Sequence, residues 1–143
     1  MDLEITTDVS RIDRDRLHGW LSGAYWSRGL PREVMDRALD HSLCFGAIRD
    51  GELVGFARLA TDYATFAWLC DVFVAEDARG QGVGKRLMEA VVAHPAVQGM
   101  RRILLSTRDA EGLYAQYGFK PLDHPDRYMA IVRRAEDLYG STS

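Results

Sequence analysis

Between Ala64 and Ala75 the chain reads ATFAWLCDVFVA, an almost continuous apolar run in which Asp71 is the one charged residue. A strand exposed on one side alternates apolar and polar residues, whereas a strand covered on both faces does not. The run is too short to span a bilayer, which needs about 18 apolar residues. It therefore predicts a central strand with cover on both faces. Straight after it comes EDARGQGVGKRLM, residues 76–88, with Gly80, Gly82 and Gly84 packed into five positions ahead of a helix-compatible stretch. A buried strand, a glycine-rich turn and a helix in immediate succession leave few folds open.

The remaining pattern is read around that unit. LEIT (3–6) predicts a first strand. Leu17, Trp20, Leu21 and Ala24 recur at helical spacing, and Val34, Ala38 and Leu39 form the buried face of a second helix opened by Pro31. LCFGAIRDGELVGFARLA then changes to strand-like runs joined at Asp50-Gly51, a pair that tolerates the positive φ of a tight hairpin. Val83, Leu87, Ala90 and Val91 lie on the helix after the glycines. RRILLST predicts a further buried strand. DAEGLYAQYG predicts a short helix with Asp109 as N-cap and Gly118 as its stop. YMAIVRR predicts a final strand, with another possible around Phe119–Leu122. The order β-α-α-β-β-β-α-β-α-β predicts an α/β (α+β) domain, a mixed central sheet of six to seven strands flanked by about four helices. The 143 residues fit one domain, with a core over 3–134 and a short C-terminal tail.

Composition narrows the partners. A net charge of −3 gives no electrostatic reason to expect nucleic acid. No run is long enough for a membrane span, and MDLEITTDVSRIDRDR lacks the basic-then-apolar pattern of a signal peptide. Cys44 and Cys70 sit in apolar runs without a metal or CxxC spacing, which predicts buried reduced thiols in a cytoplasmic protein. His18, His41, His94 and His124 show no ligand spacing, so no metal is expected.

The glycine turn predicts an anion site. The first N–H groups of a helix have no internal partner, and the helix dipole adds positive potential there. Glycines let a phosphate approach the backbone without an intervening Cβ. Arg79, Lys85 and Arg86 add cationic charge. A Walker turn needs four residues between its glycines and Ser/Thr after lysine; here three residues separate Gly80 from Gly84, and Arg86 follows Lys85. The dinucleotide pattern would need glycine at position 85.

The spacing that fits is Arg/Gln-x-x-Gly-x-Gly/Ala, met by Arg79, Gly82 and Gly84. VFVAEDARGQGVGKRLM resembles the coenzyme-A-binding segment of the GNAT superfamily of acyl-CoA-dependent N-acyltransferases. GLYAQYGFKPL (112–122) resembles that family's later signature, in the family's order and at about its separation, and the element order resembles the family from Leu3 to Arg134. The resemblance implies that the arm of acetyl-CoA lies like an added strand along Val72, Phe73 and Val74. It implies that the pyrophosphate rests on the amides of Arg79, Gly80, Gln81, Gly82, Val83, Gly84 and Lys85, and that an N–H near Val72 holds the developing oxyanion. Tyr114, four residues before Gly118, matches the family's tyrosine, the acid toward the departing thiolate; the other reading is a packing tyrosine. Relatives commonly carry an asparagine ahead of that tyrosine; STRDAEG has none, so the contact passes to Thr107 or Ser106, or is absent.

Two further sets of residues stay open. Asp71 is costly inside an apolar strand unless bonded or functional. It is either the base, through water, or an acceptor for backbone N–H groups or an arginine such as Arg58. Strict alternation puts it on the same side as Leu69 and Phe73. In the loop AYWSRGLP, Tyr25, Trp26 and Arg28 either line the acceptor pocket, or Trp26 caps the core. The resemblance implies direct transfer of an acetyl group to a primary amine of a small molecule, or to an exposed amino group, in a ternary complex, and a possible homodimer. The alternative is a non-catalytic acyl-CoA-binding regulatory module.

Overall fold

The computed structural model describes residues 2–140. Five strands form one sheet in the order β1 (Leu3–Thr6), β2 (Ser42–Arg49), β3 (Glu52–Thr61), β4 (Phe66–Val74) and β5 (Arg102–Leu104). The first four are antiparallel neighbours, and β5 runs parallel to β4. The β2–β3 hairpin turns at Asp50 and Gly51 with φ of 53° and 77°, the left-handed pair such a turn demands. Helices α1 (Arg14–Gly23) and α2 (Arg32–Asp40) connect β1 to β2, α3 (Val83–Ala93) crosses from β4 to β5, and two five-residue helices, α4 (Glu111–Ala115) and α5 (Ala135–Tyr139), follow. Asp13 caps α1 through its carboxylate to the Arg16 N–H, while Pro31 stands at the N-cap of α2, one position earlier than expected.

Two apolar layers enclose the sheet. On one side α3 sets Val83, Leu87, Met88 and Val91 against Phe45, Ala57 and Leu59; on the other Leu17, Leu21, Met35 and Leu39 cover Ile48 and Phe56. The α3 contact depends on Gly55. A Cβ there would lie 2.7 Å from Val83 Cγ1 and 3.1 Å from Leu87 Cδ1. Its absence lets the first turn of α3 sit directly on β3. The Gly55→Ala substitution should cost about 1–3 kcal/mol by overpacking and show as a lower urea midpoint; an unchanged midpoint would mean that the helix shifts freely.

Four expectations change. The sheet has five strands rather than six or seven, and there are five helices rather than about four. Residues 119–122 and 128–134 make no ladder. Asp109 is not the N-cap of α4; Ala110 is, and its N–H donates to Thr107 Oγ1 at 3.0 Å. Finally, Leu69 and Phe73 do not share a side. Leu69 joins Val72 and Val74 in the cluster under α3, while Phe73 stacks on Trp20 of α1 at 5.1 Å. The reason is an extra residue in β4: Cys70 pairs with Arg58 and Phe73 with Phe56, so Asp71 and Val72 together face Ala57. Such a bulge reverses the parity of everything beyond it.

Candidate active site

Strands β4 and β5 pair only at Phe66–Arg102, Ala67–Ile103 and Trp68–Leu104. Strand β4 then runs on for six residues while β5 ends at Leu104 and pairs with it no further. The two diverge as a V, and the edge of β4 from Leu69 to Val74 has no strand beside it on that side among the described residues. Backbone groups along such an edge are open to a ligand that pairs like a strand. The bulge lies within this free stretch. Asp71 has φ of +55°, a left-handed conformation unusual for a residue with a side chain.

The carboxylate explains how that conformation is held. Oδ2 accepts from Arg58 Nε at 2.8 Å and Oδ1 from Trp26 Nε1 at 3.0 Å. Arg58 in turn donates to Ser42 Oγ at 3.0 Å, and that hydroxyl donates to the Ala38 carbonyl at 2.7 Å. Of the two roles open for Asp71, the geometry favours the acceptor for Arg58. It also ties the loop after α1 to the bulge, which sequence reasoning did not foresee. Cys70, next in line, has its thiol pushed up to about 12 by burial, and Cys44 its own to about 11 for the same reason. Both stay protonated and poorly nucleophilic at neutral pH.

At one end of the V stands the glycine turn. Gly80 and Gly82 have φ of 77° and 82°, and a Cβ on either would meet nothing within 4 Å. They are needed for conformation and for the open space above them. Gly82 is the N-cap of α3 and no side chain caps that end. The first intrahelical N–H to find a carbonyl is that of Arg86, on Gly82 O. The N–H groups of Val83, Gly84 and Lys85 are left as a donor cluster at the positive end of the helix. The nearby side chains are already organised. Arg79 Nε donates to Val74 O at 3.1 Å, Gln81 accepts from Arg49 at 2.6 Å, and Arg86 donates to Leu3 O at 2.9 Å. Arg49, Lys85 and Arg86 border a cleft of about 620 Å³ beside the turn, with Asp2 and Glu89 on its rim.

At the other side of the V, Tyr114 of α4 borders a groove of about 330 Å³ with Leu105, Ser106 and Thr107. Its ring meets Phe119 edge-on at 6.0 Å. Its hydroxyl has no protein partner among the described residues, and burial, helped by the charge of Asp109, raises its pKa above the ordinary tyrosine value. It is held as a neutral donor. Tyr117, by contrast, points at the Lys85 carbonyl, 3.4 Å away.

The loop residues separate. Tyr25 and Trp26 meet edge to face at 5.1 Å, and the Arg108 guanidinium lies 3.8 Å from the Tyr25 ring. Arg28 is exposed and outside this group. The set near Asp71 is therefore Tyr25, Trp26 and Arg108. Arg108 carried no sequence signal, because its partner lies 83 positions away in the chain; Gly55 did, as a lone glycine inside a strand. No group of His, Cys, Asp and Glu among the described residues could hold a metal ion, and no helix is long and apolar enough to cross a membrane.

A sheet that splays behind a bulge, with a glycine-capped helix at one end and a tyrosine helix opposite, defines an acyltransferase fold. Residues 10–119 match the model of the acetyltransferase (GNAT) family. The chain belongs to this family and is an enzyme of that class. It is similar to a protein of Gibberella zeae named as an acetyltransferase, 28% identical over an alignment of 138 positions that covers 80% of this chain and 77% of that protein. It is also similar to serotonin N-acetyltransferase 2 of Oryza sativa subsp. japonica, 31% identical across 87% of this chain and 67% of that one. A crystal structure of a GNAT-family protein from Xanthomonas campestris pv. campestris superposes with a TM-score of 0.94 at 46% identity, covering 99% of both chains. That match takes in the stretch after α4.

Proposed function

We propose that the enzyme transfers an acetyl group from acetyl-CoA directly to a primary amine, on a small molecule or an exposed amino group, within a ternary complex. The observation that carries this reading is the V between β4 and β5, whose free edge runs straight into the open N-terminus of α3. Val72, Phe73 and Val74 offer backbone to the amides of the coenzyme's arm. The amides from Arg79 to Lys85, Gly80, Gln81, Gly82, Val83 and Gly84 among them, suit its pyrophosphate. The basic cleft of Arg49, Lys85 and Arg86 is placed for further phosphate charge. Thr107 Oγ1 already accepts from the Ala110 N–H in the turn before α4 and keeps its O–H to donate, while Ser106 makes no side-chain hydrogen bond among the described residues and is the freer of the two.

In the reaction the N–C bond forms as the C–S bond breaks. The amine sheds one proton to water, the departing sulfur takes one from the Tyr114 hydroxyl, and water returns a proton to the Tyr114 phenolate. The N–H of Val72, at the bulge, is the donor for the charge that gathers on the thioester oxygen. Asp71 acts on this donor at second hand, by fixing the bulge through Arg58 and Trp26. Tyr25, Trp26 and Arg108 form the acceptor side. Aromatic faces suit the body of an aromatic or cationic amine, in keeping with the serotonin in the name of the rice relative. Two reduced thiols fit a reducing compartment such as the cytoplasm.

The test is thermal unfolding with and without acetyl-CoA, with ATP and NAD as controls. Ligand at about 100 times its dissociation constant adds about 2.7 kcal/mol, several degrees for a chain of this size. The expected result is a shift with acetyl-CoA alone, followed by amine-dependent release of free thiol. Coenzyme binding with no turnover on any amine would favour the regulatory module instead.

A further inference from the structure

One side chain spans the mouth of the V. Arg108 follows Thr107, which borders the groove beside Tyr114, yet its guanidinium lies 3.8 Å from the ring centroid of Tyr25, on the loop after α1. Tyr25 meets Trp26 edge to face, and Trp26 donates to Asp71 at the bulge, one residue before the Val72 N–H. The arginine therefore links the Tyr114 side of the V to the bulge side, on the acceptor's side of the reacting centre.

The donors of Arg108 are free. It is exposed and makes no hydrogen bond or ion pair among the described residues. Stacking on Tyr25 holds the plane of the guanidinium and leaves its edge of N–H groups open. The neighbouring acids do not neutralise it. Both oxygens of Asp71 are taken, one by Arg58 and one by Trp26. Asp109, next in the chain, forms no ion pair among the described residues, and its charge acts on the Tyr114 hydroxyl, whose pKa it helps to raise. The acceptor side is thus polarised, positive at Arg108 and negative toward Tyr114. Beside Arg108, Tyr25 and Trp26 are 51% and 42% exposed, so their flat surfaces are open to a ligand.

A cationic group gains little at the Arg108 end. The arginine already occupies a face of Tyr25, and a second positive charge next to an unpaired guanidinium is repelled. A carboxylate meets a planar fork that can hold it by two parallel hydrogen bonds. The amine of the same molecule then lies toward the negative pole, where Tyr114 stands.

We propose that Arg108 is the specificity-determining residue of the acceptor site and that the acceptor is an amino carboxylate, a primary amine with a carboxylate at the far end of a short flat body. The inference rests on the acetyl-transfer reading and narrows it: the aromatic surface still takes the body of the amine, and the end away from the amine is anionic.

The experiment uses the full chain saturated with coenzyme A, so that acceptor binding is read without turnover. Calorimetry compares 4-(aminomethyl)benzoate and 3-(aminomethyl)benzoate with the matching benzamides, which keep the amine and the shape and lose the charge. Wild type should bind at least one acid about tenfold or more tighter than its amide, the usual worth of a hydrogen bond to a charged group. Arg108→Gln should bring that ratio close to one. Arg108→Lys should keep part of it, as a point charge without the fork. The side chain is exposed, so circular dichroism should show both variants folded. With acetyl-CoA in place of coenzyme A, the same preference should appear in kcat/KM for thiol release. Acid and amide bound alike, neither of them bound, or a preference that survives Arg108→Gln would each overturn the proposal. Acid binding that depends on Arg108, with no transfer to any amine, would leave the carboxylate site standing and overturn the acetyl-transfer reading alone.

Discussion

Tyr114→Phe should slow acetyl transfer by about 10²-fold or more, the usual contribution of a positioned general acid, while coenzyme binding in a thermal shift stays at the wild-type value. The substitution keeps the ring that packs on Phe119 and removes only a hydroxyl with no protein partner among the described residues. The folded state should therefore lose little. The pH profile adds a second check. Burial favours the neutral phenol, so its pKa lies above the ordinary value of about 10. The donor is fully present throughout the neutral range and is lost only as the pH climbs past that raised value. A fall in rate between pH 8 and 10 would belong to some other group. An unchanged rate in Tyr114→Phe would leave the tyrosine a packing residue and return the proton to water.

Substitutions at Asp71 should have the largest effect on stability, and their order is diagnostic. Its side chain and that of Arg58 are 13% and 18% exposed, so removing the carboxylate leaves a mostly buried guanidinium short of its partner. The cost of breaking a buried pair is about 3–5 kcal/mol, and the residual exposure puts Asp71→Ala near the lower end. Alanine also meets the left-handed backbone, at φ of +55°, which costs about 1–2 kcal/mol for a residue with a Cβ. Asparagine tolerates that conformation and can still accept a hydrogen bond, so Asp71→Asn should remain closest to wild type. Asp71→Gly loses the carboxylate but relieves the backbone, and should fall at or above alanine. Urea unfolding gives the order directly. If alanine matched wild type, the chain of contacts from Trp26 to Ser42 would contribute nothing. If the bulge positions the Val72 N–H, the turnover number should fall with Asp71→Ala more than the Michaelis constant for the amine rises.

What could be read in advance follows from locality. The glycine turn was legible because its demands are met within a few residues: left-handed φ at Gly80 and Gly82, an uncapped helix start, no Cβ above it. Asp50-Gly51 announced a hairpin for the same reason. Tyr114 was picked out through the family resemblance, which sets a tyrosine four residues before Gly118, whereas α4 itself ends earlier, at Ala115. Asp71 could be flagged, since a charge within an apolar strand needs a partner, but the choice between Arg58 and a catalytic role depended on which residue lay opposite it. The bulge escaped notice entirely. Nothing in CDVF signals an extra residue, and the parity of β4 changes only because β3 presents one residue where β4 presents two.

The sequence by itself determined the order of elements as far as α4, the glycine turn and the family, because each is encoded in short-range spacing and backbone chemistry. Only the tertiary structure decided that β4 and β5 part after three pairs, that Trp26 and Arg58 hold Asp71 between them, that Arg108 rather than Arg28 joins Tyr25, and that YMAIVRR forms no strand within its own chain. These are pairings between residues far apart along the chain. Local propensity says that a segment suits a strand, but it cannot name the edge that will receive it.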